Sequence, residues 1–96
     1  MNNVEIEIYM TNFVSFFEKN PEQLKVLIGD YDGKKFFKKI RETVVKNIEE
    51  KKELAPTRKQ IIDIILEIKN NVTKSKITKN VSNFMNHHMG KIFLNN

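Results

Sequence analysis

The sequence predicts an all-α fold, a compact orthogonal bundle of about five helices forming a single domain over residues 1–96. Three observations carry that prediction. Apolar residues recur at three- and four-residue spacing along most of the chain. Proline-marked helix starts stand at Asn20-Pro21-Glu22-Gln23 and Pro56-Thr57. The segments between periodic stretches are short, with no internal repeat or low-complexity linker. The 96 residues, 40% hydrophobic and 30% charged, suit one core. A chain this small buries only roughly 60–65% of its unfolded surface, so a partner or a second copy has room to add stability.

The first helix is expected over 4–19. Ile6, Met10, Phe13 and Phe17 follow the spacing of one helical face, and Phe16 widens it. Val4, Ile6, Ile8 and Met10 also alternate with Glu5, Glu7 and Tyr9. That leaves a minority alternative, a short N-terminal strand pairing with Ile92-Phe93-Leu94 in the tail. The second helix is expected over 21–28, with Asn20 as cap, Pro21 at the first position, Gln23 completing a capping box, and Gly29 ending it in a left-handed conformation.

Asp30-Tyr31-Asp32-Gly33 reads as a turn, with Asp32 capping a third helix over 34–51. Phe37, Ile40, Val44 and Ile48 form its core face, with Phe36 and Val45 alongside. Lys38, Glu42 and Lys46 lie opposite as i, i+4 pairs. After the break at Ala55-Pro56, Thr57 caps a fourth helix over 58–71 whose isoleucines leave only Asp63, Glu67, Asn70 and Asn71 as a polar strip. Such a helix is central or shared with a partner. The fifth is expected over 78–89, capped by Thr78, closed by Gly90, and facing inward through Val81, Phe84, Met85, His88 and Met89.

Several chemistries find no support. Without cysteine there is no disulfide, thiolate zinc site or thiol nucleophile. Asp30-Tyr31-Asp32-Gly33 resembles a fragment of a calcium loop, but aligning its glycine puts Ile28 and Lys39 where the two strongest carboxylates belong. His87 and His88 are adjacent, about 100° apart on a helix, and do not chelate one ion together. Asp63 and Glu67 are the nearest approach to a carboxylate pair, and no nucleophile or phosphate loop accompanies them. No cofactor and no enzymatic activity are expected. The N-terminus lacks a basic and then apolar leader, and no run reaches the ~20 apolar residues of a span, so the expectation is a soluble protein of the cytoplasm or nucleus with no membrane partner.

The formal charge is +5, with lysine supplying 15 of 17 basic residues. Lysine, asparagine and isoleucine make up 39 of the 96 residues, a profile that AT-rich codon usage produces without selection for a polyanion, and that suggests a viral or phage origin. Along the chain the charge is uneven, −4 over residues 1–33 and +9 over 34–96.

Two functional expectations follow. The first is a small non-enzymatic protein-interaction or assembly module, a subunit of a larger complex. Phe16, Phe36, Ile62, Leu66, Ile92 and Phe93 are its interface, because seven phenylalanines and a two-sided fourth helix exceed what one small core absorbs. The alternative is a nucleic-acid-binding domain with a helix-turn-helix-like junction at the start of the fourth helix. There Arg58 and Gln60 read bases, Thr57 and Lys59 hold phosphate, and Lys34 and Lys35 extend a lysine-rich surface.

Overall fold

The computed structural model describes residues 3–69 and 73–94, with Lys91, Phe93 and Leu94 described by backbone only. Five helices follow in order: α1 Asn3–Lys19, α2 Pro21–Ile28, α3 Gly33–Glu49, α4 Arg58–Ile68 and α5 Lys74–Leu94. The fold is an all-α bundle with no strand among the described residues. Val4–Met10 is helical, so the strand alternative falls. The 3.6-residue spacing of Ile6, Met10, Phe13 and Phe17 prevails over the two-residue alternation, and Val4 and Ile8 stay exposed on the outer side.

Helix α1 packs against α2, α3 and α5, and this explains how so many aromatic rings are buried. Adjacent helical residues diverge by about 100°. Phe13 faces α3, with ring centroids 6.3 Å from Phe36 and 6.1 Å from Phe37. Phe17 reaches both Phe37, at 6.0 Å, and Phe84 on α5, stacked at 5.4 Å. Phe16 turns to Phe84 and His88 at 5.9 and 5.1 Å. The expected surplus of surface aromatic area at Phe16 and Phe36 is therefore absent, because neighbours cover α1 on three sides. Tyr9 is buried in the same cluster, and burial pushes its hydroxyl's pKa up, keeping it neutral.

Two ties fix the direction of α3 against α4. Asn47 joins Gln60 near one end, and Lys39 Nζ donates to Glu67 Oε1 at 3.0 Å near the other, so the two helices run antiparallel. Glu7 with Arg41, and Phe17 with Phe37, tie α1 to α3 at two levels.

The helix ends carry most of the departures from the sequence-based boundaries. Asp32 caps α3 as expected, accepting from the Lys34 amide at 2.9 Å. Asn20 does not cap α2. Its Nδ2 turns back to the Phe16 carbonyl at 2.8 Å and closes α1 instead, so no capping box forms with Gln23. Gly29 has φ +61 and ψ −128, a conformation closed to side chains, and it ends α2 as foreseen. Helix α3 stops at Glu49 rather than 51. Lys51 takes φ +59, its amide donates to the Ile48 carbonyl and that of Lys52 to Asn47, completing a Schellman closure without glycine.

Helix α4 ends at Ile68 because Lys69 is extended; Asn70 and Asn71, expected in that helix, lie outside the described residues. Helix α5 starts four residues before the expected cap. Thr73 rather than Thr78 receives the first amides, its carbonyl from Ile77 at 3.1 Å and its hydroxyl from Lys76 at 3.4 Å. Gly90 does not close the helix either. Ile92, fully buried one half-turn later, anchors another turn at more than the ~1 kcal/mol that a helical glycine costs.

Candidate functional site

The junction that the sequence offered to DNA is built for closing a helix. Thr57 Oγ1 accepts from the Gln60 amide at 3.2 Å, and Gln60 Oε1 accepts from the Thr57 amide at 2.9 Å, a reciprocal capping box. The Gln60 carboxamide also exchanges two hydrogen bonds with Asn47, the buried polar residue of the core, at 3.0 and 2.7 Å. Gln60 is thus committed inside the chain and is not presented to a base. Lys59 binds Asp63 at 3.1 Å, while Arg58 makes no ion pair among the described residues. The α3–α4 connection spans residues 50–57 and joins antiparallel helices, whereas a helix-turn-helix uses a 3–4-residue turn and a steep crossing. Lys34 and Lys35 do not join this group. They stand some 20 Å away along α3, at the opposite end of the bundle.

That opposite end is where the cations gather. The Lys69 side chain runs beside Gly29, where a Cβ would sit 3.5 Å from Lys69 Cε, so the last turn of α4 meets the turn that leads into α3. Thr73 follows Lys69 by four residues and is held within about 14 Å of it by chain length alone, which brings in the first turns of α5. Residues 29–39 and 66–80 together supply Lys34, Lys35, Lys38, Lys39, Lys69, Lys74, Lys76 and Lys79 against Asp30, Asp32 and Glu67. Eight lysines against three acids leave +5, the whole formal charge of the protein; the rest of the chain has nine basic and nine acidic residues. The ion pairs among the described residues lie mostly elsewhere, at Arg41–Glu7, Lys46–Glu50, Lys52–Glu50 and Lys59–Asp63, with Lys39–Glu67 the exception. Arg41 holds the Glu7 carboxyl below its usual range through their hydrogen bond, and Lys52 does the same to Glu50.

The residues expected to form a partner interface are mostly interior. Phe16, Phe36, Ile62 and Ile92 are all buried, Leu66 is half-buried, and the Phe93 side chain lies outside the described atoms. Among the described residues, the large hydrophobic side chains that stand mostly in solvent are Val4, Ile8 and Val26.

Val26 belongs to a feature that sequence reading missed, a groove of about 350 Å³ between α2 and α5. Gln23, Val26, Leu27, Asn80, Asn83, Phe84, His87 and His88 line it. A second depression, about 260 Å³ and lined by Lys19, Asn20, Pro21, Glu22 and Gln23, shares Gln23 with it. Helical spacing on α5 and on α2 held the information: Asn80, Asn83 and His87 share one side of α5, and Gln23 and Val26 share one side of α2. Which helices would face each other was not in the pattern.

Other candidate chemistry disperses. Asp63 and Glu67 each serve a lysine, on α4 and α3 respectively. Asp32 caps α3, and Lys39 in the same segment binds Glu67. The His87 and His88 rings stand 6.2 Å apart, and no group of three or more histidine, aspartate or glutamate side chains converges on a metal position among the described residues. No described helix is long and apolar enough to cross a membrane. No family model matches the chain, and neither a curated protein nor a solved structure is similar to it.

Proposed function

We propose that this chain is a non-enzymatic binding module that takes the phosphate backbone of a nucleic acid on its lysine-rich end. The observation that carries this reading is the gathering of all five net positive charges at the junction of the α2–α3 turn, the end of α4 and the start of α5. AT-rich codon usage accounts for many lysines but not for their collection on one end of a molecule whose remainder is neutral. Helix polarity adds weight. The N-termini of α3 and α5, both at this end, carry lysines and no acidic residue in their first turns, although the positive end of a helix dipole favours an acid; at α3 the cap Asp32 answers that preference, and at α5 the cap is the neutral Thr73. Lysines placed against the dipole cost stability and gain it back when an anion arrives.

The assembly module is the second reading, and Val4 with Ile8, one turn apart and exposed on α1, supports it. One titration separates the two. Light scattering and fluorescence anisotropy are run with a labelled short oligonucleotide at low and moderate salt. Binding should weaken with a log–log salt slope of about −0.7 to −0.9 per phosphate contacted, and Lys74→Gln with Lys76→Gln should flatten the slope by about 1.4 to 1.8. Arg58→Ala with Lys59→Ala, at the other end, should leave it unchanged. A discrete oligomer that ignores the oligonucleotide would overturn the nucleic-acid reading in favour of assembly.

A further inference from the structure

The groove between α2 and α5 opens onto the lysine-rich end from both of its walls. On α5, Lys76, Asn80, Asn83 and His87 are spaced i, i+4, i+7 and i+11, so one continuous stripe leads from cation to carboxamide to imidazole. On α2, Val26 lies one turn before Gly29, against which Lys69 rests. A strand whose phosphates engage Lys69, Lys76 and Lys79 would therefore be carried directly along the groove mouth.

The groove's chemistry differs from that of the end it adjoins. No charged side chain lines it. Its polar groups are the carboxamides of Gln23, Asn80 and Asn83, none of which is engaged in a side-chain hydrogen bond among the described residues, and the imidazoles of His87 and His88. Val26 and Phe84 supply apolar surface between them. A carboxamide offers a donor and an acceptor side by side, matching the edge of a nucleobase, and an exposed imidazole gives a face on which a base stacks. Phosphate finds no cation inside. A paired base finds its hydrogen-bonding edge already used and its face covered. The volume, about 350 Å³, falls within the range of sites that take small planar ligands, about 300–1,000 Å³.

We infer that the α2–α5 groove seats an unpaired nucleobase, which makes the preferred ligand a single strand, its backbone on the lysine-rich end and a base between Gln23, Asn83 and His87. This rests on the nucleic-acid reading above, and the test separates their failures. The probes are an oligo-dA strand, an oligo-dT strand and the duplex formed by annealing them, each titrated by anisotropy at one low salt concentration. At least one single strand should bind about five-fold or more tightly than the duplex, the gain expected from one stacked base. His87→Ala with Asn83→Ala should erase that preference while leaving the duplex affinity unchanged. Gln23→Ala, on the other wall, should reduce it independently of any local effect on α5, and the side-chain amide signals of Gln23, Asn80 and Asn83 should shift with the preferred strand and not with the duplex.

Equal affinity for strands and duplex, with binding still lost on Lys74→Gln and Lys76→Gln, would remove the base site and keep the backbone reading. A single-strand preference that survives both groove variants would remove it as well. Absence of binding by all three probes would overturn both proposals together.

Discussion

At residue scale, the closures between helices hold both the best and the worst of what could be read from the sequence. Asp32 and Thr57 were legible as caps because their side chains act on amides two or three residues away, within the same local stretch. Asn20 was misread for an equally local reason. A residue between two helices has orphan carbonyls behind it and orphan amides ahead, and its amide group chose the carbonyl of Phe16. Lys51 was invisible, since nothing in Glu-Glu-Lys-Lys announces a positive φ. A lysine there bears roughly 1–2 kcal/mol of left-handed strain that glycine escapes, offset in part by glycine's greater loss of chain entropy, about 0.5–1 kcal/mol. Lys51→Gly should accordingly raise stability by about 1 kcal/mol, seen as a rise of about 4–8 °C in Tm with an unchanged urea m value. A fall in Tm would mean that Lys51 makes a favourable contact outweighing its strain.

At the scale of elements, periodicity identified all five helices and most of the core, because an amphipathic stripe is written in consecutive residues. It did not say how many sides of a helix are covered. Phe16 and Phe36 looked surplus only against an assumed single inner face, and the contacts of α1 with three neighbours absorb them. The same holds for the two-sided α4, whose Ile61, Ile62, Ile64 and Ile65 are all buried. Asn47 shows the converse. A polar residue that the apolar pattern of α3 passes over, it is buried and paired with Gln60, and so helps set the register of α3 on α4. Helix α5 was cut short at Gly90 by a composition rule that packing overrode. If the last turn is truly part of the core, Ile92→Ala should cost about 2–5 kcal/mol of unfolding free energy, as in other fully buried sites. A tail used only by a partner would leave the isolated chain's denaturation midpoint within about 0.5 kcal/mol of the parent.

At the scale of the whole molecule, net charge was readable from the sequence and its location was not. The division at residue 33 separated the first third of the chain from the rest, whereas the bundle brings residues 29–39 beside the end of α4 at Lys69, with the start of α5 at Thr73 within chain reach of it. Lysines outnumber acids by five in that region, so its net charge is self-repelling even with Lys39 paired to Glu67, and the lysines in the first turns of α3 and α5 oppose the helix dipoles as well. The arrangement is unfavourable for the isolated fold, which gives the proposed function a consequence for stability. Lys35→Glu, in the first turn of α3, removes a repulsion and adds a second acid beside the Asp32 cap at the helix N-terminus, so it should stabilise the free protein by about 0.3–1 kcal/mol at low ionic strength. The gain should shrink toward zero as salt rises and the Debye length falls below about 10 Å. The same substitution should weaken oligonucleotide binding, opposing stability to affinity at one residue. Parallel thermal melts and anisotropy titrations of the parent and the variant measure both. A variant less stable than the parent at low salt would show that Lys35 is satisfied within the fold. An unchanged affinity would place the ligand elsewhere on the molecule.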